Sequence, residues 1–219
     1  MCEEKLLLVG GGGHCRSVID SIDASVYNDI AIVDLPDKVG QLISMIEIVG
    51  TDDELHNLFN SGYTNAAITI SNLVSQKKRV KIFDKMKLLG YVFPKIIDKT
   101  AIVSKSNTII EEGVFIGKGV IINTGVRIGA FSIINSGAVI DHDVKVGRFS
   151  HIAPGASISG NVMVGDYTHI GTGSSIIQSI NVGNKTIIGA GSVVVRDIPC
   201  NVTAFGNPCV IRKSEGVIL

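Results

Sequence analysis

Asp141-His142-Asp143 is the tripeptide in this sequence best suited to moving a proton. An imidazole beside a carboxylate makes a general base, because the carboxylate fixes the ring tautomer and raises its basicity. Read alone, the same tripeptide also suits a solvated surface, and both readings stand. His151 and His169 follow at spacings of nine and eighteen residues. Near the N-terminus a run of four glycines, Gly10 to Gly13, leads into His14. A glycine loop entering a helix points backbone N–H groups outward, as a phosphate or a sugar hydroxyl requires. A tight strand–helix turn without a ligand uses the same residues. Cys15 stands where the dinucleotide fingerprint would place its third glycine. None of the four cysteines (Cys2, Cys15, Cys200, Cys209) has a histidine partner in a nucleophile motif, and no CxxC pair suggests zinc or a disulfide framework.

The elements that position these residues follow from a repeat. From Ile110, every sixth residue through Ile116, Ile122, Ile128, Ile134, Ile140, Val146, Ile152, Ile158, Val164, Ile170, Ile176, Val182, Ile188 and Val194 is Ile or Val. The residue four places after each is mostly small or β-branched, and Gly often follows the aliphatic directly. A period of six fits neither an amphipathic helix nor an alternating strand; it fits a hexapeptide β-helix. Three short strands make one triangular coil of about eighteen residues, with the aliphatic stacked on itself at the strand spacing of roughly 4.8 Å. On that geometry His142, two places past an inward Ile, points outward. His151 and His169 lie on one face, one coil apart. Composition agrees: 45% hydrophobic with only 5% aromatic and no Trp means Ile and Val rich, and 25 glycines supply turns.

The segment before the repeat reads as a small α/β domain. Leu6–Val9 is a buried strand, Cys15–Ser25 is helical, and Ile30–Val33 is a second strand ending at Asp34. Thr51 and Glu54 form a capping box for a short helix to Phe59. Asn65–Ile70 is a third strand, Gln76–Leu89 a basic amphipathic helix with a solvated face, and Tyr91–Ile97 leads to a first coil near Ala101.

Segments such as IGKGVI, IGAFSI and IGAGSV resemble the hexapeptide-repeat acyltransferases. With the GGGGH loop and the strand ending in Asp34, the whole chain resembles one bacterial subfamily. That subfamily contains the sugar acetyltransferases acting on nucleotide-linked 4-amino sugars and the sialic acid O-acetyltransferases. The resemblance implies a left-handed parallel β-helix preceded by a small Rossmann-like α/β domain, and a homotrimer with acetyl-CoA clefts between subunits. It implies His142 as base and Asp143 as the group that polarises it. His151, Gly160, Thr172 and Ala190 then contact acetyl-CoA, with the Gly160 N–H facing the thioester carbonyl. Gly12, Gly13, His14 and Asp34 line the nucleotide-sugar pocket together with Ser71, where relatives carry a glycine. Arg212 and Lys213 either meet CoA phosphates or belong to a frayed, solvated tail. The implied domains are 1–98 (nucleotide-sugar binding), 99–203 (β-helix) and 204–219 (tail).

The expected reaction is acetyl transfer from acetyl-CoA, its co-substrate, to the 4-amine of a nucleotide-linked 4-amino-4,6-dideoxy sugar, without a covalent enzyme intermediate or a metal. Sialic acid O-acetylation on the same scaffold is the alternative. A zinc site like that of the β-helix carbonic anhydrases ranks below both, since those enzymes use a histidine pair five residues apart; a non-catalytic solenoid would leave the Asp-His-Asp segment unexplained. Balanced charge, 20 basic against 20 acidic residues, argues against nucleic acid and against anionic membranes as partners. The apolar runs are too short to span a bilayer, and Met1 to Lys5 does not read as a signal peptide, so a reducing cytoplasm is expected.

Overall fold

A computed structural model describes residues 4–70 and 76–214; Ser71 and Asn72 lie outside the described residues. The chain divides into two compact units, Met1–Ile96 and Ile97–Leu219.

The first unit is an α/β layer built on β1 (Glu4–Val9), whose residues Leu6, Leu7 and Leu8 are fully buried. After the glycine loop comes α1 (Gly13–Ser21), then β2 (Tyr27–Val33), the hairpin β3 (Leu42–Ile43) and β4 (Ile46–Gly50), α2 (Leu55–Asn60), β5 (Asn65–Ile68) and α3 (Gln76–Leu89). The sheet order is β3-β4-β2-β1-β5, with β1 parallel to both β2 and β5. The chain therefore reverses its winding direction at β1, and the loop after β1 opens at that switch point, where open α/β sheets bind ligands. Helix α1 starts at Gly13, earlier than the cysteine expected to open it. It stops at Ser21 because Asp23 takes the Ser25 N–H and hydroxyl in a local turn (2.9 and 2.7 Å). The capping box forms: the Glu54 carboxylate accepts from the Thr51 N–H at 2.6 Å and from its hydroxyl at 2.8 Å, and the helix proper begins one residue on.

The second unit is a left-handed parallel β-helix, with three sheets built mainly of two-residue strands. Ile134, Ile152 and Ile170 pair directly, one above another, in parallel register, as do Ile140, Ile158 and Ile176. All are at most 1% exposed. Each contributes roughly 1.5–3 kcal/mol by leaving water. The residue four places after each aliphatic, expected to fit a corner, is also buried and completes the core. In one column these residues are Ser or Thr and form a hydroxyl ladder. Ser132, Ser150, Thr168 and Thr186 each donate at 2.7 Å to a carbonyl of the next coil: those of Gly147, Gly165, Gly183 and Pro199. Buried hydroxyls need such partners, and the ladder satisfies them without interrupting the apolar stack.

Each coil turns three corners. The first carries Lys118-Gly119, Ser136-Gly137, Pro154-Gly155, Thr172-Gly173 and Ala190-Gly191. The second carries Thr124-Gly125, His142-Asp143, Gly160-Asn161 and Gln178-Ser179. The third carries Ala130-Phe131, Arg148-Phe149, Asp166-Tyr167 and Asn184-Lys185. The last residue of every pair sits at φ between 53° and 73°. At the third corner Phe131, Phe149 and Tyr167 stack face to face, with centroids 5.0 and 5.5 Å apart. The described part of the tail is paired: Val210–Ser214 returns as an antiparallel strand on Val202–Phe205, and the Arg212 guanidinium lies 5.4 Å over the Phe205 ring.

Candidate active site

The second corner brings together three of the expected residues. His142 Nδ1 and Asp143 Oδ2 are 2.9 Å apart, with side chains 47% and 58% exposed. The backbone holds both by coil-to-coil bonds: the Asp143 N–H donates to the Thr124 carbonyl, and the Asn161 N–H to the His142 carbonyl, each at 3.0 Å. Asp141 braces the corner from the other side. Its Oδ1 accepts from the His142 N–H at 2.8 Å and from the Asn123 amide at 2.9 Å. The hydrogen bond to Asp143 raises the imidazole's pKa above its ordinary value; slight desolvation opposes, and the charges of Asp141 and Asp143 add to the rise. The result is an outward imidazole with its Nδ1 side held by a carboxylate and its Nε2 side available for proton transfer. Gly160 lies one coil beyond, buried beneath the same ring.

The remaining acetyl-CoA candidates lie elsewhere on the solenoid. Thr172 and Ala190 are exposed on the first corner, across the intervening sheet from His142. His151 belongs to the sheet on the far side of that corner and pairs in register with His169. The two rings are 4.9 Å apart, edge to face at 76° rather than parallel. Asn135 reaches His151 Nε2 at 3.5 Å. His169 is half-buried: its Nδ1 is shut off from solvent, and burial lowers its pKa to about 4. Among the described residues no group of three His, Cys, Asp or Glu is placed to hold a metal ion.

In the first unit the glycine loop divides by role. Gly10 has φ 111°, and a Cβ there would strike Ile70 at 2.7 Å, so this glycine serves the turn. A Cβ on Gly12 or Gly13 would meet nothing within 4 Å, so those positions leave the start of α1 open to a close-lying ligand. Gly12 is the N-cap and offers no side-chain cap. Asp34 is placed beside the loop. It accepts from the Gly11 N–H at 2.8 Å, the Leu35 N–H at 2.8 Å and the Lys38 ammonium at 2.9 Å. Burial alone would raise its pKa, yet these donors hold it below the usual carboxylate value. His14 is held neutral at pH 7. Burial first, and the nearby Arg79 charge second, lower its pKa to about 4. Arg79, on α3, is 4% exposed and was missed by sequence reading; a basic helix gives no sign of which cation turns inward. Burial pushes the Cys15 thiol up to about 11, which keeps it protonated and unfit as a nucleophile.

Residues 5–86 match the PglD N-terminal domain family, and residues 107–142 match the bacterial transferase hexapeptide family (six repeats). A His-to-Asn variant of perosamine N-acetyltransferase from Caulobacter crescentus, solved with CoA and GDP-perosamine, is 35% identical. The match covers 96% of this chain and 97% of that one, with a TM-score of 0.89. The acetyltransferase domain of PglB from Neisseria gonorrhoeae, in complex with acetyl coenzyme A, is 32% identical over 96% of this chain and 100% of that one (TM-score 0.87). WeeI from Acinetobacter baumannii shares the fold at 23% identity, over 95% and 100% of the two chains (TM-score 0.80). No curated protein sequence matches the chain. No helix of the described residues is long and apolar enough to cross a membrane.

Proposed function

The chain belongs to the hexapeptide-repeat sugar acetyltransferases, acyltransferases that use acetyl-CoA, and from that membership we propose that it acetylates the 4-amine of a nucleotide-linked 4-amino-4,6-dideoxy sugar. GDP-perosamine is the first candidate acceptor, because a relative 35% identical over nearly its whole length was solved with it. The observation that carries the reading is the His142–Asp143 contact of 2.9 Å at an exposed corner.

In the proposed reaction the sugar amine attacks the thioester carbonyl and His142 Nε2 takes the proton the amine loses. Asp143 holds the imidazolium that forms. The negative charge developing on the carbonyl oxygen is met by the Gly160 N–H, in the manner of an oxyanion hole. Collapse of the tetrahedral intermediate expels the CoA thiolate, which leaves with the proton from His142. No covalent enzyme intermediate is needed, consistent with the protonated Cys15.

His151, Thr172 and Ala190 are proposed to hold acetyl-CoA. They lie away from His142 within one chain, so the reading places the cleft between neighbouring subunits of a homotrimer. There one chain offers its His142 corner and the next its His151, Thr172 and Ala190 positions. Gly12, Gly13, His14, Asp34 and Ser71 are proposed for the nucleotide sugar, in a domain 1–98 ahead of a β-helix at 99–203 and a tail at 204–219. The neutral His14 adds no charge there, so Arg79 and Lys38 are the cations near a diphosphate. A cytoplasmic location fits a reaction that consumes acetyl-CoA.

His142→Ala tests the reading. Thiol release from acetyl-CoA in the presence of GDP-perosamine, or of UDP- and dTDP-linked 4-amino sugars, falls roughly 10²–10⁴-fold. Near-wild-type turnover in the variant refutes the base. Turnover with sialic acid and none with any nucleotide-linked amino sugar transfers the assignment to O-acetylation.

A further inference from the structure

The His142–Asp143 pair is flanked along the solenoid axis by two residues without side chains. Gly125 occupies the corner one coil before Asp143, and Gly160 the corner one coil after His142. A Cβ built on Gly160 would stand 2.5 Å from both Cε1 and Nε2 of the His142 ring. A Cβ built on Gly125 would run into Asp143 Oδ1. The carboxylate thus lies over one glycine and the imidazole over the other, and the two groups meet between them.

These clashes differ in kind from those at the neighbouring corner. A Cβ on Gly147 would meet backbone atoms of the next coil, at 2.5 Å from the Asp166 nitrogen and 2.6 Å from the Gly165 carbonyl carbon. Relief there requires the coils to part. At Gly125 and Gly160 the atoms in the way end exposed side chains, which rotate aside at little cost to the fold. Backbone conformation does not demand these glycines either. Asp143, Asn161 and Ser179 occupy the Gly125 position on other coils at φ 59–61°, and Gly160 is not in the left-handed region.

We propose that Gly125 and Gly160 are positioning residues: their missing side chains select the rotamers that bring Asp143 to Nδ1 of His142 and direct Nε2 outward. The inference rests on His142 as the base. Protein groups act at this precision because a displacement of about 1 Å at a reacting centre costs on the order of 10²-fold. The charges bearing on the ring are Asp141 and Asp143; the adjoining corner residues Thr124, Gly125, Gly160 and Asn161 carry none.

The test compares Gly125→Ala and Gly160→Ala with Gly119→Ala. Gly119 has φ 64°, and its Cβ would meet nothing within 4 Å, so it shares the conformational cost at Gly125 without the clash. The readout in ligand-free protein is the His142 imidazole titration by NMR, assigned by its absence in His142→Ala. Gly125→Ala and Gly160→Ala are expected to lower it towards the ordinary histidine value. Gly125→Ala also cuts kcat by roughly 10²-fold, with the KM for acetyl-CoA unchanged. Gly119→Ala leaves titration and kcat in place. In an Asp143→Ala background, Gly125→Ala costs nothing further, since no carboxylate remains to displace. An unmoved titration in both variants, or equal losses in Gly119→Ala, overturns the proposal. The titration decides this even if His142→Ala retains activity and the base assignment falls.

Discussion

The same residue type does opposite things at two places on this solenoid. At the second corner His142 is 47% exposed, joined to a carboxylate and made more basic. On the flat sheet His169 lies against His151 at 4.9 Å, its Nδ1 shut off from water, and burial brings its pKa down to about 4. Nothing in the side chain makes this difference; the place in the hexad does. A corner residue projects beyond the strands on either side, so it keeps solvent and can gather charged partners. His169 instead lies on its sheet between His151 and Ile187 at the strand spacing, and these rungs strip water from part of its ring. On this solenoid the neighbours on adjacent coils therefore set the acid–base character of each histidine.

The widest separation is expected between two truncations. His142→Ala loses roughly 10²–10⁴ in turnover, while its stability stays within about 0.5 kcal/mol, as for an exposed side chain. His169→Ala retains turnover within a few-fold, and its cost shows in thermal unfolding instead, because a half-buried ring packed against His151 is removed. Turnover assays and thermal melts of the two variants side by side measure both. A large loss of turnover in His169→Ala with substrate KM unchanged would erase the contrast between face and corner.

Acid comes next in size. The folded-state pKa of His169, about 4, lies below the roughly 6.5 of an unfolded histidine. Between those values the unfolded chain binds a proton that the native chain refuses. The stability due to a neutral His169 is therefore complete above about pH 6.5 and drains away as the pH falls towards about 4, by up to about 1.4 kcal/mol per pH unit. Urea midpoints at about pH 7.5 and about pH 5 are expected to differ in the wild type and to differ less in His169→Gln. His14 contributes in the same direction from the first unit, so the slope shrinks and does not vanish. An unchanged slope in His169→Gln would show that the face leaves that ring accessible after all.

The solenoid was legible because its signal is translational. Ile134, Ile152 and Ile170 stand in one phase in the sequence and one column in space, and the outward direction of His142 follows from counting two places past Ile140. What counting does not reach is the environment of a side chain. His151 and His169 were placed one coil apart at the correct spacing, yet their edge-to-face contact and the burial of His169 depend on three-dimensional neighbours. Arg79 was hidden in the same way, as one cation among several on a basic helix. Sequence reading gave Gly160 only a backbone contact with the thioester and did not single out Gly125. Only the built corner shows that a side chain from the adjacent coil fills the space each leaves. The chain end failed differently: Val210–Ser214 lies past the repeat, and its pairing with Val202–Phe205 has no periodic signature.

The smallest expected effect is also the most specific. Asp143 sits at φ 60°, a conformation that asparagine adopts readily, so Asp143→Asn keeps the backbone of the corner and an acceptor near Nδ1 while removing the charge. The hydrogen bond to this carboxylate is the largest cause of the raised His142 pKa. A base works only when deprotonated, so kcat/KM climbs with pH through the His142 pKa, and that limb lies above the ordinary histidine value in the wild type. In Asp143→Asn the limb moves to lower pH, while the plateau falls less than in His142→Ala. A pH profile of kcat/KM for both proteins reads the displacement directly. If the limb stays where it was, Asp143 is only the residue that fills a left-handed corner, and the basicity of His142 then has another source, Asp141 being the carboxylate left beside it.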